Sequence, residues 1–192
     1  MRIAFVLFDR INLLDFAGTY DALMRLKKLD FASNLTCKTC ALKEEVYDNN
    51  GLRFIPSNPH ESLDGYDMVV VPGGIGTRAL AQDEIFLAWL RSSKSAPIKV
   101  GVCTGSLLLG AAGFLKDKLA TTHPNAKDLL LTYGVKDVLD RRIVDEGDIL
   151  TSAGVSASID MGIYLCKRLF GDEAAKEVAA SMDYPFFDSI QL

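Results

Sequence analysis

The chain has 192 residues, 49% hydrophobic and 24% charged, an ordinary globular composition with enough length to bury one sizeable core. A net charge of −4, a pI near 5.2 and the lack of any Lys/Arg cluster argue against a nucleic-acid-binding surface; Arg141-Arg142 is too short a basic run to count. The longest apolar stretches, such as 106–115, fall well below the roughly 20 residues of a membrane span.

The N-terminus reads as a strand, not a signal peptide, so one domain over 1–192 is expected, in the cytoplasm. The four cysteines, at 37, 40, 103 and 166, form no disulfide framework, which suits a reducing compartment.

In chain order, residues 2–7 (RIAFVL) read as a buried strand. Residues 15–28 read as an amphipathic helix with apolar positions 16, 20, 23, 24 and 26, opening a β-α-β unit. A second strand is expected over 31–42, a hairpin turn at Asn49-Asn50-Gly51, a strand over 68–71 and a helix over 83–93 carrying Trp89. Residues 98–102 (IKVGV), entered through Pro97, read as a buried strand, and 104–112 as a helix ended by a Gly113 cap. Beyond them come a short strand over 118–121, a short helix over 125–132, a hairpin over 142–151 turning at Glu146-Gly147-Asp148, and a closing helix over 155–170. Strands alternating with helices through short loops predict a doubly wound α/β fold, a mostly parallel sheet sandwiched by helices in the flavodoxin-like manner.

Cys103 stands at the junction of strand 98–102 and helix 104–112, where small residues at 101 and 105 permit a sharp turn like the nucleophile elbow of hydrolases. A thiol at a helix N-terminus is expected to favour thiolate, although an isolated cysteine is more often simply core. Pro72-Gly73-Gly74 ends strand 68–71, and in an open parallel sheet both motifs share the crevice beyond the strand ends. Bare N–H groups of Gly73 and Gly74, with the Thr104 amide, would form an oxyanion-type cradle beside the sulfur; the alternative is a plain turn. Asp15, just past the first strand, reads either as an N-cap or as a carboxyl with a raised pKa, able to act as acid and base beside the thiol. Thr104 is either an N-cap or a hydrogen bonder to substrate.

Several motifs resemble the ThiJ/PfpI superfamily, whose fold is that of class I glutamine amidotransferase domains. They are Pro72-Gly73-Gly74, GVCTGSLLLGAAGFL from Gly101, Ala120-Thr121-Thr122-His123, the run from Thr151 to Asp160, and Asp183-Tyr184-Pro185-Phe186-Phe187-Asp188. The Cys-Thr-Gly elbow and Leu14-Asp15-Phe16-Ala17-Gly18 look most like its isonitrile hydratase branch, which also resembles ligand-side domains of AraC-type regulators. Peptidase-like members carry histidine directly after the nucleophile, where this chain has Thr104. The resemblance implies that Cys103 adds to the terminal carbon of a small isocyanide and that Asp15 steers water to release an N-substituted formamide. It assigns Thr104 a hydrogen bond to substrate or water and His123 a pocket contact, with Pro124 where that branch carries tryptophan. It also implies no metal or organic cofactor, and a homodimer with the aromatic tail 184–187 at the interface. Glyoxalase-like, amidase or peptidase chemistry and a redox or ligand sensor remain open.

The other candidates read as structural. Cys37 and Cys40 fall three apart in a strand and face opposite sides; Cys166 belongs to an apolar helix; His60 has no visible partner. Glu44-Glu45 and Asp145-Glu146 adjoin turns and are expected to be solvated, without metal-ligand spacing.

Overall fold

Strand β1 (Arg2–Val6) runs through the interior of the sheet because its apolar run can be buried on both faces at once. Ala4 and Val6 face a core with Val69, Val71 and Leu107, whereas Ile3 and Phe5 face a second core with Val70, Val100 and Met161. This is the two-residue alternation of a strand covered twice. The computed structural model describes residues 1–186; Phe187 and Asp188 of the C-terminal motif lie outside the described residues.

After β1 come α1 (Leu13–Lys28), β2 (Thr36–Ala41), a ribbon of β3 (Val46–Tyr47) and β4 (Arg53–Phe54), and β5 (Asn58–Pro59). Then follow β6 (Met68–Val71), α2 (Thr77–Leu80), α3 (Glu84–Arg91), β7 (Ile98–Val102), α4 (Gly105–Ala111) and β8 (Leu119–Ala120). The chain continues with α5 (Lys127–Leu131), β9 (Asp137–Val138), β10 (Ile143–Asp145), β11 (Ile149–Ser152) and α6 (Ala157–Ser181). The main sheet has the order β10-β11-β7-β6-β1-β2-β5 and is parallel except for the β10–β11 hairpin. Helices α1 and α6 cover one face, through Leu23, Leu26 and Leu165; α3 and α4 cover the other, through Leu87, Leu90 and Leu108. The doubly wound α/β expectation is met. The chain winds outward from β1 in both directions, so a crevice opens at the carboxyl ends of β1, β6 and β7, the place where such sheets bind ligands.

Four boundaries differ from the sequence reading. Helix α1 begins at Leu13 because Asn12, not Asp15, is its cap: the Asn12 side chain accepts from the N–H groups of Leu14 and Asp15. The second strand starts only at Thr36, since 31–35 turn back on α1, with Phe31 and Ala32 N–H both donating to the Leu26 carbonyl. Strand β8 pairs with β9 in a separate parallel ribbon instead of joining the sheet. Helix α6 continues past Phe170 to Ser181, but breaks at Gly171, whose φ of 91° is left-handed. Nothing lies within 4 Å of a Cβ placed on Gly171, so Gly171→Ala tests the backbone alone. It is expected to destabilise by about 1–2 kcal/mol, read as a lower urea midpoint at constant m.

Candidate active site

The turn from β7 into α4 holds Cys103 at φ 55°, a left-handed conformation that a non-glycine residue adopts only when its surroundings fix it. Those surroundings are visible. The Cys103 N–H donates to the Ser152 carbonyl at 3.1 Å, and its carbonyl accepts from the hydroxyls of Ser106 at 2.9 Å and Thr122 at 3.0 Å. Gly105 packs so tightly that a Cβ there would overlap the Val71 carbonyl at the end of β6. The side chain is only 4% exposed, yet it lines a cavity of about 250 Å³ whose wall includes Asn12, Asn49, Arg78, His123, Asn125 and Val155. That volume is below the ~300 Å³ lower end of drug-sized sites and fits a small substrate.

Asp15, fully buried in the first turn of α1, lies beside the Cys103 thiol and accepts the Gly73 N–H on Oδ2 at 3.0 Å. Its Oδ1 has no hydrogen-bond partner among the described residues. Burial raises the Asp15 pKa from 3.8 to about 7, against the lowering effect of the thiol and Gly73 hydrogen bonds. Burial also pushes the Cys103 thiol up to about 12, helped by the Asp15 charge and opposed by N–H groups of Val155 and Thr104 that donate to the sulfur. Burial therefore acts against the thiolate expected at a helix N-terminus, while the two N–H donors act for it. Sulfur and carboxyl titrate as one coupled pair that exchanges a proton.

The cradle also differs from expectation. The N–H groups of Gly73 and Gly74 are not bare: Gly73 donates to Asp15, and Gly74 donates to the Thr104 hydroxyl at 2.9 Å. Thr104 Oγ1 donates in turn to the Gly74 carbonyl at 3.2 Å and makes no cap hydrogen bond, so it ties the end of β6 to the elbow. A Cβ on Gly73 would sit 2.5 Å from Asp15 Oδ2 and 2.7 Å from the Thr104 nitrogen, which is why only glycine lets these three groups converge. The donors that do face the sulfur are Thr104 N–H and Val155 N–H. Val155 was not legible in the sequence: its amide is aimed by an unusual φ of 22° in the loop between β11 and α6. Asn12, Asn49, Asn125 and Arg78 were missed as well; only Asn12 left a signal, as an N-cap before an apolar run.

His123 lies on the cavity wall, where its Nδ1 accepts the Asn125 N–H at 3.2 Å. His60 does have a partner, Glu44 at 3.2 Å, on the exposed surface far along the chain from the elbow. Asp145 is not merely solvated: it accepts from Tyr164 at 2.8 Å and pairs with Arg168 at 3.4 Å. Cys37 and Cys40 fall in opposite cores and Cys166 is buried against Ala22. Among the described residues no group of three or more His, Cys, Asp or Glu could hold a metal, and no helix is long and apolar enough to cross a membrane.

The profile described as the DJ-1/PfpI family matches residues 1–168. An isonitrile hydratase of Pseudomonas putida is 38% identical over 193 residues, covering 98% of this chain and 82% of that protein. A glutathione-independent glyoxalase DJ-1 of Schizosaccharomyces pombe is 28% identical over 144 residues, covering 73% of this chain and 74% of its own length. The crystal structure of a THiJ/PfpI family protein from Pseudomonas syringae superposes with a TM-score of 0.86 at 27% identity, covering 96% of this chain and 75% of that one.

Proposed function

The chain belongs to the DJ-1/PfpI family, and on that premise we propose that it is a cysteine-dependent hydratase, adding water to a small isocyanide to give an N-substituted formamide. The observation that carries this reading is the buried Cys103–Asp15 pair, a sulfur nucleophile and a carboxyl titrating near 7, opening on a small cavity. Ionised Asp15 takes the thiol proton as sulfur bonds to the terminal isocyanide carbon. It returns that proton to the same carbon, giving the thioimidate R–N=CH–S–Cys103. Asp15 then takes a proton from water as oxygen adds to this carbon and passes it to nitrogen, giving R–NH–CH(OH)–S–Cys103. Collapse breaks the C–S bond as the hydroxyl proton moves through Asp15 to the sulfur, releasing R–NH–CHO and restoring the thiol and the ionised carboxyl. The N–H groups of Thr104 and Val155 steady the sulfur while it carries charge. Thr104 and Gly73 act as positioning residues, holding the elbow and the carboxyl in register.

The test is a panel: p-nitrophenyl isocyanide, methylglyoxal and a chromogenic amide, each with the wild type and with Cys103→Ala as the blank. Cysteine-dependent formamide production supports the reading. Turnover of methylglyoxal instead would favour the glyoxalase chemistry named for the 28% identical relative, and turnover of none would remove the hydratase. A pH profile adds a sign. Because Asp15 must be ionised to receive the thiol proton, kcat/KM is expected to rise with pH and level off above about 7; a decline over that interval would count against the assignment.

A further inference from the structure

We infer that Arg78 makes the cavity above Cys103 a subsite for a substrate bearing one carboxylate, so that an anionic isocyanide is preferred over a neutral one. This rests on the hydratase reading for the reaction, but not for the anion. Arg78 lines the cavity, and it makes no hydrogen bond or ion pair among the described residues. Arg25, Arg53, Arg91, Arg142 and Arg168 each pair with a carboxylate, Arg2 lies over the Tyr66 ring, and Arg10, which has no carboxylate partner among the described residues either, does not line the cavity. An arginine without an internal partner at the mouth of a site is available to an incoming one, and its planar fork matches a carboxylate in two-point contact.

The rest of the wall agrees in sign. Among the described residues no acidic side chain lines this cavity, while Asn12, Asn49 and Asn125 add carboxamide donors. Asn12 Oδ1 is already occupied by the N–H groups of Leu14 and Asp15, which leaves its NH₂ as the group free for a ligand. Asn49 is held at the wall because its N–H donates to the Ile11 carbonyl at 3.2 Å and Ile11 bridges both Asp48 and Gly74. One cation and about 250 Å³ suit a small monoanion better than a phosphate ester or a larger polyanion.

Two measurements separate the subsite from the reaction. Alkylation of Cys103 by iodoacetate and by iodoacetamide, near-isosteric reagents differing in charge, is followed by mass spectrometry of the Cys103 peptide with glutathione as reference thiol. In the wild type the iodoacetate/iodoacetamide rate ratio is expected to exceed that of glutathione by about 10-fold or more, and in Arg78→Ala to fall to the glutathione value, with Arg78→Lys between them. The second pair is 4-isocyanobenzoate and 4-isocyanobenzamide: the acid is expected to show about 10-fold lower KM, and Arg78→Ala to erase that ratio through KM and not kcat. A labelling ratio equal to that of glutathione, or one that survives in Arg78→Ala, overturns the inference. If neither isocyanide turns over while the labelling ratio behaves as expected, the hydratase reading fails and the anion subsite stands.

Discussion

Asp15→Asn is expected to slow hydration by about 10²–10⁴-fold while making the protein harder to unfold above pH 7. The two effects share one cause. The folded carboxyl titrates near 7 against an ordinary 3.8, so between those values the folded protein holds a proton that the unfolded chain releases. Stability from the protonated carboxyl is complete below about 3.8 and is lost as pH climbs through 7. At pH 8 the wild type carries a buried carboxylate that costs up to roughly 4 kcal/mol, at about 1.36 kcal/mol per pH unit. Asparagine is uncharged, is nearly the same shape and keeps an oxygen for the Gly73 N–H, but it cannot take the thiol proton. Urea unfolding at pH 5 and pH 8 should therefore show the wild type weakening relative to Asp15→Asn, alongside a kinetic assay in which Cys103→Ala is inactive. An Asn variant as active as the wild type would remove Asp15 from the mechanism, and parallel stabilities at both pH values would mean that its carboxyl is not perturbed.

Gly105→Ala is expected to be the most destabilising single methyl near the site, by about 3 kcal/mol, or a fall in Tm of roughly 6–12 °C. The new Cβ would overlap the Val71 carbonyl oxygen and lie 2.8 Å from the Val71 carbonyl carbon and 2.9 Å from the Pro72 oxygen. These are backbone atoms of β6 and its turn, which cannot swing aside as a flexible side chain would. Relief requires moving α4 off the sheet, and with it the φ 55° turn at Cys103. Calorimetry reads the stability, and the rate of Cys103 alkylation reads the displaced sulfur. A variant within about 0.5 kcal/mol of the wild type would mean that the elbow is more compliant than its packing implies.

How much of this could be read beforehand depends on the range over which each contact is made. The Cys103 elbow was legible because a strand, a small-residue turn and a glycine-capped helix are all local patterns, and the short apolar runs of β1, β6 and β7, alternating with helical stretches, predict the fold class. Apolar periodicity begins at Phe16 and does not mark the helix start at Leu13, which is set by the side-chain cap at Asn12. The pull against the thiolate was not legible, because a dipole argument is local, whereas desolvation is set by the whole fold around residues 15, 103 and 155. Val155 reaches the cavity from the loop before α6 and Arg78 from the one-turn helix α2, positions that only the sheet order determines. Strand β8 falls within the short strand expected over 118–121, but its partner β9 was not legible, since a two-residue strand carries no period.

A sulfur only 4% exposed, at the floor of a small cavity, is also a guarded one. Peroxides, adventitious alkylators and disulfides must enter that space and line up with the sulfur before they react, which keeps the standing target small. Discrimination then comes from admission as much as from reactivity, and bulky or passing electrophiles meet only a wall.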